Sequence, residues 1–286
     1  MLIAAQTPAR AGIATRAALI GAALVLALAV AAFAGARYGL LLLVGLGFGI
    51  ALEGLRFGFA GPWRAMILRR EGGGILAQLL AIALVAVVAF PLLASFPDEI
   101  LGAHAPVGFA MIGGAFVFGA AMQIVLGCGS GTLVNAGSGN AVSLVALPFF
   151  AIGSFLGASH LFWWTGLGSL PVVALAGGSG LGVTLAGLAG LAALVWWRAT
   201  PEGRVLPRRL MLAALAVAGL AVLNLMIAGQ PWGVVYGLGL WVAKGASLVG
   251  ADLAANPFWG AAGNQARLAQ SLLTDVTSLT NIGIIG

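Results

Sequence analysis

Gly127-Cys128-Gly129-Ser130-Gly131-Thr132-Leu133-Val134-Asn135-Ala136-Gly137-Ser138-Gly139-Asn140 lies between two apolar runs, 107–127 and 142–160, each long enough to cross about 30 Å of hydrocarbon. The stretch holds the only cysteine of the chain, five glycines and a series of hydroxyl and amide side chains. In hydrocarbon every backbone polar group needs a partner, so glycine-broken, polar backbone at that depth survives only where protein or a watery cavity surrounds it. The stretch therefore marks a candidate pore or binding element, and the rest of the chain has to supply the membrane protein around it.

It does. Of 286 residues, 62% are apolar and only 7% charged, with a mean hydropathy of +1.12; a soluble domain carries roughly a quarter charged residues. Apolar runs of spanning length fall at 17–34, 38–55, 75–95, 107–127, 142–160, 178–197 and 210–229, with 232–250 a Gly-rich borderline case. Residues 161–176 are apolar but short, contain Trp163, Trp164 and Pro171, and read as a re-entrant or interfacial piece. The expected fold is an all-α integral membrane protein, with about eight to nine transmembrane helices plus short re-entrant or broken helices. No polar linker divides it, so residues 1–286 form one transmembrane domain.

The net charge of +6 would raise nucleic acid as a partner of a soluble protein, but here the arginines sit at the ends of apolar runs, which excludes that class. Arg10 and Arg16 precede the first run, which is longer than a signal-peptide core and is read as an uncleaved helix with a cytoplasmic N-terminus. Arg56, Arg64, Arg69 and Arg70 follow the second run, and Arg198, Arg204, Arg208 and Arg209 the sixth. The acidic loop is Ser95-Phe96-Pro97-Asp98-Glu99-Ile100. Both arginine clusters face the cytoplasm only if 161–176 does not cross.

Cys128 has two readings. A lone cysteine in an apolar segment is a small buried hydrophobe, yet Gly127, Gly129 and Gly131 leave the backbone bare and able to turn tightly. Successive amides in such a turn form an anion-binding concavity, and Ser130, Thr132, Asn135, Ser138 and Asn140 add neutral hydrogen-bonding groups. Close helix packing through small residues is the alternative use of the same glycines. The spacing is not that of a dinucleotide fingerprint, and no lysine follows to make a P-loop. One cysteine with the separated His104 and His160 does not make a metal-ligand set, and no cofactor is expected.

Charges within apolar runs are costly and usually purposeful. Glu53 and Arg56, three residues apart, pair on one helix face or serve a substrate; Lys244, the only lysine, either faces a pore or snorkels to the interface. His104 and His160 are placed at helix ends, and Trp163, Trp164, Trp196, Trp197, Trp232, Trp241 and Trp259 in the aromatic belt. No acid, base and nucleophile constellation emerges, so the chain reads as a conduit and not as an enzyme.

Residues 45–70 have a faint echo in 230–259, where Pro231-Trp232 and Gly-rich sequence lead through Lys244 to Pro257-Phe258-Trp259, as in transporters built from inverted repeats. Gly127-Cys128-Gly129-Ser130-Gly131-Thr132-Leu133 with Ala136-Gly137-Ser138-Gly139-Asn140 resembles the first cysteine-bearing motif of the YeeE/YedE family of bacterial sulfur-compound membrane transporters. The likeness extends to Arg56-Phe57-Gly58-Phe59 with Arg64, to the segment from Pro231-Trp232-Gly233 to Lys244, and to Leu272–Ser278 with Asn281-Ile282-Gly283. It implies an inner-membrane permease for a small sulfur-containing anion, thiosulfate or a related sulfur or selenium species, built from pseudo-symmetric inverted halves. The first half is about 1–176, and the second starts at about 177. It also implies a small cytoplasmic sulfur-carrier protein as a partner, and carries Cys128 over into the pathway; together with the residues read above, the expected pathway runs along Cys128, Gly127, Gly129, Ser130, Gly131, Thr132, Asn135, Arg56, Gly58 and Lys244.

Two departures stand out. Gly58 occupies the position where the Arg-Phe-x-Phe motif of thiosulfate carriers has a cysteine, and no second Gly-Cys motif is present. Asn281-Ile282-Gly283-Ile284-Ile285-Gly286 reads as the opening of another apolar helix, whose remainder is expected beyond Gly286 in preference to a tucked-in terminus. A non-transporting scaffold that docks the sulfur carrier on its arginine loops is the alternative function.

Overall fold

The structure, a computed structural model, describes residues 13–286; Arg10 lies outside them. The helices are α1 (Ile13–Ala34), α2 (Ala36–Gly54), α3 (Ala60–Arg69), α4 (Gly73–Ser95), α5 (Phe109–Val125), α6 (Gly129–Gly137), α7 (Ala141–Ser159), α8 (Leu161–Gly166), α9 (Gly177–Arg198), α10 (Arg208–Ala228), α11 (Val234–Leu248), α12 (Ala262–Ala269) and α13 (Val276–Ile285). Seven helical stretches among the described residues are long and apolar enough to cross a membrane, one of them formed by α5 and α6 in succession. Two further apolar helices, α11 and α13, are shorter. The protein is thus an all-α membrane protein, with seven full-length spans where the sequence suggests eight to nine, the difference being these two short helices.

The centre of the bundle is α2. Its single-residue link to α1 turns at Gly35, whose φ of 116° suits glycine. Gly39 meets Ala27 and Ala31 of α1, Gly47 meets Leu220 of α10, and Gly45 and Gly49 meet the backbone of α13. Small residues on several sides of one helix let its neighbours approach to backbone contact, the usual basis of tight packing in membranes. The core follows from this: Val44, Phe48, Leu133, Val134, Leu238 and Ile284 form one cluster, and Leu41, Leu42, Ala228 and Leu279 a second. The segment that includes Asn281–Gly286 forms α13, a largely buried helix, with Asp275 accepting from Ser278 N at 2.7 Å to cap its first turn.

Two pairs of connectors fix the ends of the bundle. Gly72 N donates to Gly203 O at 2.8 Å and Thr200 N to Arg70 O at 3.1 Å, so both arginine clusters lie at one end. At the other end Leu101 N donates to Gly229 O at 2.8 Å, and Arg37 Nε and Nη2 donate to Ile227 O and Ala228 O. Asp98 and Glu99 belong to that second end. Residues 161–176 contain only the six-residue α8 and then non-helical chain, in which Leu170 N donates to Val107 O. They do not cross, which is the condition under which the two arginine clusters share a face. At the arginine end Arg69 and Glu71 pair at 2.7 Å on the exposed connector, which holds the Glu71 carboxyl below its usual range and raises the arginine.

Three tryptophans expected in the belt are interior. Trp259 is buried, Trp241 Nε1 donates to Ser278 Oγ at 2.8 Å, and Trp232 packs edge-on against Phe48. Trp163, Trp164, Trp196 and Trp197 are exposed as expected, with Arg204 over the Trp196 ring at 4.1 Å. His160 sits between α7 and α8; His104 lies in the α4–α5 connector and not at a helix end.

Candidate functional site

The apolar stretch made by α5 and α6 breaks at Leu126-Gly127-Cys128. Leu126 is left-handed, with a φ of 60°, which ends α5, and Cys128 is the extended residue that precedes α6. The first bond of the new helix runs from Thr132 N to Cys128 O at 2.8 Å, so the amides of Gly129, Ser130 and Gly131 precede any intrahelical acceptor. The N-terminus of α6 therefore carries the positive end of its dipole at the cysteine. Gly127 is required here: a methyl group on it would sit 2.9 Å from Thr132 N.

A second broken segment faces this one. α2 ends at Gly54, and Arg56 turns the chain with a φ of 49°. That turn removes Arg56 from the helix face of Glu53, and of the two readings the ion pair is not formed: the salt bridges among the described residues are elsewhere. Gln78, buried in the first turns of α4, donates to Gly58 O at 2.9 Å and Phe59 O at 3.3 Å and holds the segment in place.

Between the two broken segments lies a cavity of about 480 Å³, lined by Glu53, Arg56, Gly58, Gly127, Cys128, Ser130, Gly131, Asn135, Gln78, Val217 and Trp232, among others. Cys128 is half-buried, and its Sγ lies 3.3 Å from Ser130 Oγ. Two of the three non-glycine residues with positive φ among the described residues, Arg56 and Leu126, line this cavity. Such conformations cost roughly 1–3 kcal/mol each and concentrate at functional sites. Chemically the cavity offers an arginine, a thiol, a hydroxyl and free helix-end amides, a set that binds a small anion, with the Glu53 carboxylate on the same wall.

Of the sequence-derived residues, Arg56, Gly58, Gly127, Cys128, Ser130, Gly131 and Asn135 come together here. Gly129 lies behind the wall, against Val235 and Phe150, and Thr132 is buried beneath Gly127 with no partner for its Oγ1 among the described residues. Lys244 is elsewhere: its ammonium donates to the carbonyls of Arg267, Leu268 and Gln270 and caps the C-terminus of α12. The sequence reading missed Gln78 and Trp232. Gln78 is an uncharged polar side chain inside an apolar run, which is a usable signal; Trp232 is indistinguishable from a belt residue by sequence alone.

Compared with known proteins, the chain matches a family model described as sulphur transport over residues 55–286, which takes in every segment of the cavity wall beyond α2. No curated protein matches it.

Proposed function

The chain belongs to this sulphur transport family, the YeeE/YedE family, and on that premise we propose that it is a permease for a small sulfur-containing anion, thiosulfate or a related sulfur or selenium species. The observation that carries the reading is the convergence, inside a bundle of apolar helices, of Arg56, the Cys128 thiol and the amide end of α6 on one cavity. In low-dielectric surroundings these donors replace the hydration of an anion, while the glycine backbone lets it approach closely. Gly129 and Thr132 position the turn, and the inner membrane with the arginine connectors and N-terminus on the cytoplasmic side is the orientation the charge pattern favours.

Purified protein in liposomes, loaded with labelled thiosulfate from outside, tests this. Cys128→Ala is expected to slow uptake about fivefold, the worth of one hydrogen bond of about 1 kcal/mol. Uptake equal to wild type would remove the thiol from the pathway. Wild-type uptake no faster than in empty liposomes, with a sulfur-carrier protein still retained, would favour the scaffold.

Gly58 supplies a complementary test. A methyl group on it meets nothing within 4 Å, so the Cβ of Gly58→Cys is accommodated, and the variant brings a second thiol to the cavity wall. The variant is expected to keep the wild-type thermal midpoint and to raise thiosulfate uptake several-fold, measured in the same liposomes.

A further inference from the structure

A second cavity, about 570 Å³, opens near the acidic end of the bundle beside Leu101–His104. Both cavities use the same two helices at successive levels. On α10, Val217 lines the first cavity, and Ala221 and Leu225 line the second, each one turn or about 6 Å further along. On α4, Gln78 lines the first and Val85 the second, about 10 Å apart by helix rise. The two spaces are thus stacked end to end, one toward the arginine connectors and one toward the acidic loop.

Trp232 lines both. Its ring packs edge-on against Phe48 at 3.8 Å between centroids, with an interplanar angle of 84°. Phe48 is fully buried and lies twelve residues, about 18 Å, along α2 from its start, which puts the indole deep within the bundle. The residue comes from the short Gly229–Gly233 connection and not from a helix, so its backbone is not tied into a helical ladder.

We infer that the Trp232 indole is the partition between the two cavities and gates a single pathway that joins them, closed toward the acidic end in this conformation. The inference rests on the permease reading above. Closure by one ring, braced on one side by a buried phenylalanine, limits passage to small solutes and leaves Cys128 reachable from the arginine end alone.

Cys128, the only cysteine, is its own reporter. The full chain is placed in right-side-out and inverted vesicles and treated with a membrane-impermeant, sulfonated methanethiosulfonate reagent. Wild type is expected to be labelled from the arginine face only. In Trp232→Ala, labelling from the acidic face is expected to rise at least about tenfold while labelling from the arginine face is unchanged, which also reports a folded protein. Trp232→Leu keeps an apolar side chain on Phe48 and is expected to show a smaller rise; it decides the matter if the alanine variant does not accumulate. Equal wild-type labelling from both faces, or no rise in either variant, overturns the partition and leaves the permease reading standing. Wild type unlabelled from both faces overturns the water-filled cavity itself, and the partition with it.

Discussion

Gly283→Val is expected to abolish a stable fold in detergent, or at least to lower the thermal midpoint by about 10 °C, because no movable atom stands in its way. A methyl group on Gly283 would lie 2.3 Å from Leu42 O, 2.8 Å from Leu46 N and 2.9 Å from Gly45 Cα, all of them backbone. Side-chain rotation cannot relieve such overlaps, so α13 would have to leave α2. Overpacking typically costs about 1–3 kcal/mol where side chains yield, and here the figure should exceed about 3 kcal/mol, at roughly 2–4 °C per kcal/mol for a chain of this size. Gly187→Val on α9, where a methyl group meets nothing within 4 Å, is the control and should melt within about 2 °C of wild type. Melting of both variants followed by size-exclusion elution checks the pair; a Gly283→Val protein as stable as wild type would mean that α13 is not seated on α2.

That crossing shows where sequence reasoning stops. The seven spans are legible because run length and hydropathy report on the membrane directly, residue by residue. The break at Cys128 is legible because hydrocarbon forbids unpaired backbone, and the short path of 161–176 follows from counting arginines. Seating α13 against α2 is a relation between residues more than two hundred positions apart, and no local pattern encodes it. Glu53 and Arg56 fail to pair for a related reason: three-residue spacing implies a shared face only while the helix continues, and α2 stops at Gly54. Lys244 and the interior tryptophans escape because one side chain serves both uses. An ammonium at a helix end satisfies carbonyls as well as it meets solvent or an anion, and an indole packs in a core as readily as at an interface. For the cavity, then, the sequence identified the two broken segments that face each other but neither the glutamine that shapes it nor the indole at its floor.

Arg56→Ala is expected to lower the kcat/KM of anion uptake by about 10- to 100-fold, more than any change at the thiol. A hydrogen bond to a charged group is worth about 1.5–3 kcal/mol against about 1 for a neutral one, and the guanidinium offers a planar fork that matches two oxygens of a tetrahedral anion. Arg56 also makes no ion pair among the described residues, so its charge is available to a ligand in the cavity it lines. If it holds the anion equally at rest and during passage, the loss falls on KM with kcat nearly unchanged. Arg56→Lys separates charge from shape: it keeps the cation but not the fork, and should recover only part of KM. The left-handed φ of 49° permits a further distinction, since Arg56→Gly relieves the backbone and still removes the charge. Concentration series of labelled thiosulfate uptake in liposomes resolve the three variants. If the glycine variant recovers wild-type uptake, the arginine is a turn residue and the anion is held by the α6 amides and Cys128; if it transports as poorly as alanine, the guanidinium is the site's principal attraction.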